Sequence, residues 1–160
     1  MYRLFTSISV AVFITDQVCK WLVDKHIPLG QSKSIIPGKL AITHLRNPGA
    51  AYGLFASNRR TLLFFTAASV LSEVQTFFEL SRHFKHHKTA WTLFALSVGG
   101  AASNVLDRLS KKFVTDYIQV CPQRKTSVFN IADICILVGA AGLMTIYLTR
   151  IAKQLCEYKS

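Results

Sequence analysis

The chain has 160 residues, 51% of them hydrophobic, with a positive mean hydropathy and a formal net charge of +11. Its length fits one domain, 1–160, and its composition excludes an ordinary soluble globule. The basic residues fall in the connections between apolar runs, where anionic lipid headgroups account for them, so membrane lipids rather than nucleic acid are the expected partner.

Four apolar runs are long enough, or nearly so, for the ~20 helical residues that cross a bilayer core. They are Leu4–Val23, Thr61–Leu80, Ala90–Leu106 and Ile131–Ile151, and they predict an all-α membrane protein with four transmembrane helices. The first run begins like a secretory signal, with Arg3 ahead of Leu4–Ile14. Asp16 and Lys20 then follow without a small-residue cleavage site, so an uncleaved helix is expected. Asp16 and Lys20 stand at i, i+4 on one helix face. Two readings fit them: an internal ion pair that fixes packing, and an acid that orients polar groups at a site. Asp24–Arg60 contains Pro28, Gly30, Pro37 and Gly38 and turns repeatedly, with Lys39–Arg46 as a short strand. Asn47-Pro48-Gly49 is a turn signal. Gly49, Ala50, Ala51 and Gly53 then form a patch without bulky side chains, suited to helix packing or to bedding a substrate peptide whose carbonyl Asn47 could hold.

The second run carries Glu73 and Gln75 inside it, and Glu73 reads either as a proton relay or as a buried, hydrogen-bonded acid. Ser81–Thr89 is a short basic loop with His83, His86 and His87. No acid or thiol completes a ligand set there, so no metal is expected. The third run ends in Asn104-Val105-Leu106-Asp107-Arg108. Asn104 and Asp107 share a face, and an acid at a helix C-terminus opposes the dipole, so Asp107 needs a cation: Arg108 or one from a distant segment. Val114–Val120 alternates as a strand. Asp116 falls on one face with Val114, Ile118 and Val120, while Thr115, Tyr117 and Gln119 take the other. Aliphatic neighbours disfavour the charged form of that carboxyl.

The fourth run opens with Asn130 and Asp133 at i, i+3. An N-cap with an acid accepting first-turn N–H groups explains this pair. An acid at the mouth of an apolar segment is also a functional candidate. Asp116 and Asp133, if close in space, are the minimum equipment for acid/base hydrolysis. Cys19, Cys121, Cys135 and Cys156 form no Cys-x-x-Cys pair, and no disulfide is expected.

Four blocks carry a resemblance. They are Asp16-Gln17-Val18-Cys19-Lys20, Asn47-Pro48-Gly49-Ala50-Ala51-Tyr52-Gly53, Gly99-Gly100-Ala101-Ala102-Ser103-Asn104-Val105-Leu106-Asp107-Arg108, and the stretch from Asp116 to Asp133. In content and order they resemble the lipoprotein signal peptidases, the type II signal peptidase family. Ser103 stands where that family usually has glycine, and Tyr52 and Tyr117 replace commoner phenylalanines. The resemblance implies a membrane-embedded aspartic peptidase without a cofactor, whose catalytic pair maps onto Asp116 and Asp133. Its implied substrate is a diacylglyceryl-modified prolipoprotein, cut just before the modified cysteine. Asp16, Lys20, Asn47, Asn104, Asp107, Arg108 and Asn130 form the implied substrate-positioning set. Lys/Arg counts do not decide orientation. The resemblance implies a bacterial inner-membrane protein with cytoplasmic termini, its small strand-containing region and its site at the outer face. Two rival readings are a proton-coupled small membrane carrier built on Asp16, Glu73, Asp107 and Asp133, and a noncatalytic scaffold. Neither gives a role to Asp116 on a strand outside the bilayer.

Overall fold

A computed structural model describes residues 1–49, 58–84, 87–120 and 128–159. Among these residues the chain forms helices α1 (Tyr2–His26), α2 (Arg59–His83), α3 (Lys88–Ser110) and α4 (Ile131–Lys159). The strands are β1 (Ser32–Ile36), β2 (Leu40–Asn47), β3 (Val114–Val120) and β4 (Val128–Phe129). All four helices are long and apolar enough to cross a membrane. This is the expected architecture of four membrane helices with a small strand-containing region.

The helices outrun the apolar runs because capping extends them into polar sequence. Ser81–His83 and Lys88–Thr89, expected as loop, are helical. The Phe84 N–H closes α2 on the Leu80 carbonyl at 2.9 Å. His87 caps α3 by accepting the Ala90 N–H on Nδ1 at 3.1 Å, and His83 lies 3.5 Å from Glu79. The histidines described here therefore serve helix ends; His86 lies outside the described residues.

The sheet runs β1-β2-β3-β4 with every neighbouring pair antiparallel. Strand β1 was not expected, because Ser-Lys-Ser-Ile-Ile lacks alternation and stays exposed along its length. Its pairing with β2 makes it a strand. Gly30 (φ 80°) and Gly38 (φ 70°) supply the left-handed turns on either side of it. In the β2–β3 ladder Ile42 faces Ile118 and Leu45 faces Asp116, so Thr43 and His44 together oppose Tyr117. That is a β-bulge, a device that bends a strand and re-aims its side chains.

Helix α3 is the axis of the bundle, lying between α1 and α4, and it carries the longest set of buried residues. Small residues bring the backbones together. A Cβ on Gly99 would stand 2.6 Å from the Ser9 carbonyl oxygen, and one on Gly100 2.5 Å from that of Ala132. At one end of the bundle Leu80, Phe84, Ala90, Trp91, Phe94 and Leu143 form an apolar core, and the Trp91 indole N–H is satisfied by the Phe84 carbonyl at 3.2 Å. The outward faces are apolar, with Phe64 and Leu71 of α2 each 68% exposed. Charged side chains, by contrast, lie inside: Asp16 and Lys20 are completely buried. Such an arrangement suits lipid as the surrounding medium. Cys19, Cys135 and Cys156 are free thiols, and Cys121 lies outside the described residues.

The α3–α4 contact yields a prediction. Gly100→Ala drives a methyl into the Ala132 carbonyl and should cost about 1–3 kcal/mol. Thermal unfolding in detergent measures this, and an unchanged Tm would show that the two helices have room to spare.

Candidate active site

The opposite end of the bundle is polar inside, and three helices and the sheet each contribute to it. Lys20, one turn after Asp16 on α1, is the centre of charge. Its Nζ lies 2.7 Å from Asp16 Oδ2 and 2.9 Å from Asp107 Oδ2, and it donates to Asn104 Oδ1 at 2.8 Å. The internal ion pair expected from the i, i+4 spacing is present. The cation that Asp107 requires comes from Lys20, with Lys111 Nζ at 3.4 Å from its other oxygen, rather than from neighbouring Arg108. Ser103, one of three departures noted in the sequence resemblance, is fully buried within this network. Its hydroxyl donates to Asp16 Oδ2 at 2.5 Å and accepts from Gln17 Nε2 at 2.9 Å. Gln17 had no expected role.

The start of α4 meets this network. A buried helix N-terminus must satisfy its first N–H groups with something other than water. The Ile131 N–H donates to the Tyr117 hydroxyl at 3.2 Å, that of Ala132 to Asp16 Oδ1 at 3.1 Å, and that of Asp133 to Asn130 Oδ1 at 2.7 Å. Asp133 Oδ2 accepts the Asn130 N–H at 3.3 Å, completing a reciprocal capping pair. The capping reading of Asn130 and Asp133 is therefore correct. It is also incomplete, because the same two residues reach further.

Two amides orient the two carboxylates, and each amide is itself oriented. Lys20 holds Asn104 by its oxygen, so the Asn104 NH₂ faces away and donates to Asp133 Oδ1 at 2.8 Å. The Asp133 N–H holds Asn130 by its oxygen, so the Asn130 NH₂ donates to Asp116 Oδ1 at 2.8 Å and to Asn104 Oδ1 at 3.3 Å. Asn47, at the end of β2, donates to Asp116 Oδ2 at 3.0 Å. Asn130 thus touches both acids. Asp116 is 2% exposed and Asp133 is partly open.

Burial raises the Asp116 pKa to about 6. The Asn47 amide opposes that rise, the negative charge of Asp133 adds to it, and Asn130 opposes it again. The burial comes from packing of the sheet on the helices rather than from the whole aliphatic face expected in sequence: Val114 is buried, but Ile118 is only partly covered and Val120 is 45% exposed. On the other face, the Tyr117 hydroxyl donates to Asp16 Oδ1 at 3.1 Å, and burial together with that charge pushes its pKa up. It remains a neutral hydrogen-bonding group.

Arg108 lies at the rim, with Nη2 3.5 Å from the Gly49 carbonyl and a buried Nε that lacks a hydrogen-bond partner among the described residues. Gly49 closes a turn on Asn47 Oδ1 at 2.9 Å; Ala50, Ala51, Tyr52 and Gly53 lie outside the described residues. The nine residues singled out in sequence are thus all at this end of the bundle. Glu73 stands apart, bonded by the Ser97 hydroxyl at 2.6 Å in an apolar groove of about 380 Å³ between α1, α2 and α3. Among the described residues, no three His, Cys, Asp or Glu side chains gather as a metal-binding group. What the arrangement offers chemically is two carboxylates in unlike surroundings, one enclosed and one accessible, fixed relative to one another by a shared amide.

Comparison with known proteins gives consistent relatives. A family model described as signal peptidase (SPase) II matches residues 8–149. A lipoprotein signal peptidase of Bacillus velezensis is 35% identical over 137 residues, covering 85% of this chain and 88% of that protein. One from Enterococcus faecalis is 33% identical over 162 residues, covering 100% of this chain and 94% of its own length. A bacterial membrane enzyme solved by the in meso method at 2.3 Å resolution superposes with a TM-score of 0.82 at 26% identity, covering 93% of this chain and 90% of the other.

The ion network generates a stability prediction. Lys20→Met leaves Asp16 and Asp107 buried without their shared cation and should cost about 3–5 kcal/mol. It is checked by thermal unfolding in detergent, where a Tm close to wild type would show that the two acids do not depend on Lys20.

Proposed function

The chain belongs to the signal peptidase II family, the lipoprotein signal peptidases, and on that premise we propose that it is an aspartic endopeptidase whose catalytic pair is Asp116 and Asp133. It removes the signal peptide from prolipoproteins. The proposed cut lies just before the diacylglyceryl-cysteine, in a bacterial cytoplasmic membrane, with the termini cytoplasmic and the site near the outer face. The observation that carries the catalytic assignment is Asn130, which bonds Asp116 through its NH₂ and the Asp133 backbone through its oxygen.

In this mechanism Asp133 is the base. It stands in the first turn of α4, where the helix dipole favours an anion, and it is the more accessible of the two. It takes a proton from the attacking water. Asp116, enclosed and with a raised pKa, keeps the shared proton, hydrogen-bonds the scissile carbonyl and later protonates the leaving amine. Asn47, Asn104 and Asn130 hold the carboxylates in place, and Arg108 is the proposed contact for substrate backbone at the rim. Asp16, Lys20 and Asp107 support them from below. The carrier reading loses its relay, because Asp16 and Asp107 are both bound to Lys20 while Glu73 lies in a separate groove.

Purified protein incubated with a diacylated prolipoprotein in detergent, with the product sized by mass, tests this reading. Asp116→Asn and Asp133→Asn should each lower cleavage roughly 10²- to 10⁴-fold while the protein still inserts and folds. Near-normal turnover by either would sink the assignment.

A second prediction concerns pH. The pair must hold one proton, so kcat/KM should be bell-shaped. The protonated fraction of a carboxyl falls as pH rises through its pKa, so the descending limb should lie at or above the raised Asp116 value of about 6. Asn47 stabilises charged Asp116. Asn47→Ala should therefore raise that pKa and move the descending limb to higher pH. A limb that stays in place, or moves toward acid, would show that Asp116 does not carry the proton.

A further inference from the structure

His44 is a buried side chain to which the mechanism gives no part. It is 3% exposed, and it sits on the β2 bulge that opposes Tyr117. The bulge turns its ring toward the end of α1. There Nδ1 lies 2.7 Å from the carbonyl oxygen of Ile27, the C-cap of α1. Nε2 lies 3.1 Å from Asp24 Oδ1, off the axis of a straight hydrogen bond. Asp24 also accepts from Thr115 Oγ1 at 3.1 Å and from Lys111 Nζ at 3.3 Å. Four elements therefore meet at one carboxylate: the end of α1, β2, β3 and the residue after α3.

This knot lies next to the site. Thr115 immediately precedes Asp116, and His44 precedes Asn47 by three residues on the strand that delivers it to Asp116. A carbonyl oxygen can only accept, so Nδ1 must bear a proton to bond it. Nε2 faces the Asp24 carboxylate without a straight hydrogen bond, so the Nδ1 bond is the directed contact of the ring. The charged and titratable groups around it are Asp24 from α1 and, through Asp24, Lys111; Thr115 from β3 and the Ile27 carbonyl are neutral.

We propose that His44, bonded through Nδ1 to the Ile27 carbonyl, is a positioning residue that clamps β2, and through Asp24 also β3, to the end of α1 and so fixes Asn47 and Asp116 against the start of α4. The inference rests on the catalytic reading of Asp116. It touches no substrate, so its loss should lower kcat and leave KM nearly unchanged.

The test has two arms. Nitrogen-15 NMR of the His44 ring in the folded wild-type protein, at the pH of the cleavage assay, should show a proton on Nδ1. Kinetically, His44→Ala should lower kcat roughly ten- to a hundredfold with KM within about twofold. His44→Gln, which still donates to the Ile27 carbonyl, should recover part of that loss. A bare Nδ1 in the wild type would overturn the proposal whether or not the variants fold. Full kcat in His44→Ala would overturn it as well. Failure of the catalytic reading is distinguishable, because it appears as cleavage by Asp116→Asn whatever the state of the ring.

Discussion

Everything at the polar end of this bundle depends on one ammonium group. Burying an ion without a partner costs several kcal/mol, and removing one member of a buried pair costs more than the pair is worth. Lys20 compensates two acids at once and still has a hydrogen bond for Asn104. Through that bond a charge on α1 determines which way an amide on α3 points, and hence which face it shows to Asp133 on α4. The amide could rotate if it met only neutral groups. With an ammonium on one side and a carboxylate on the other, one orientation is strongly favoured. A functional site needs side chains whose rotamers are fixed by a supporting layer, and around the proposed pair that layer is ionic.

The second constraint is backbone. Helix α4 starts inside the protein, so its first N–H groups had to find acceptors. They found Tyr117, Asp16 and Asn130, which come from β3, α1 and the residue before the helix. The requirement to cap a buried helix therefore ties the sheet to the bundle at the place where Asp116 faces Asp133. The bundle divides its work along its length. Aromatic side chains pack one end, a hydrogen-bonded ion network holds the other, and glycine contacts reach into that network, with Gly100 against Ala132.

Much of this was legible in the sequence. Apolar run length gave the four helices, and period-two alternation gave β3. The spacing of Asp16 and Lys20 gave the ion pair. What stayed hidden depended on residues far apart in sequence. Strand β1 has no pattern of its own and exists through pairing with β2. Asn104 and Asp107 share a helix face as expected, yet they serve different partners: Asn104 reaches Asp133, while Asp107 stays with Lys20 and Lys111. Ser103 showed in sequence only as a departure from a usual glycine. It is a hydroxyl that fills a hydrogen-bonding position between Asp16, Gln17 and Lys20. The three asparagines expected in sequence to position substrate donate to carboxylates or to one another, partners that spacing alone did not indicate. Tyr117 gave one readable signal, since alternation placed it opposite Asp116, but its part in capping α4 required the fold.

The capping of α4 also bears on how the protein is made. The chain is synthesised from its N-terminus, so α1, with Asp16 and Lys20 on one face, precedes α3 and α4. Asp107 joins them when α3 arrives, and Tyr117 when β3 folds. The acceptors for the α4 N–H groups are thus all in place before α4 itself emerges. Asp133 is the last of the charged and amide side chains in this network to be translated, and its bonds to Asn104 and Asn130 close the network. A nascent chain that has not yet inserted its final helix carries Asp116 without a counterpart. On the proposed assignment of Asp116 and Asp133, the pair is assembled only when α4 is in place.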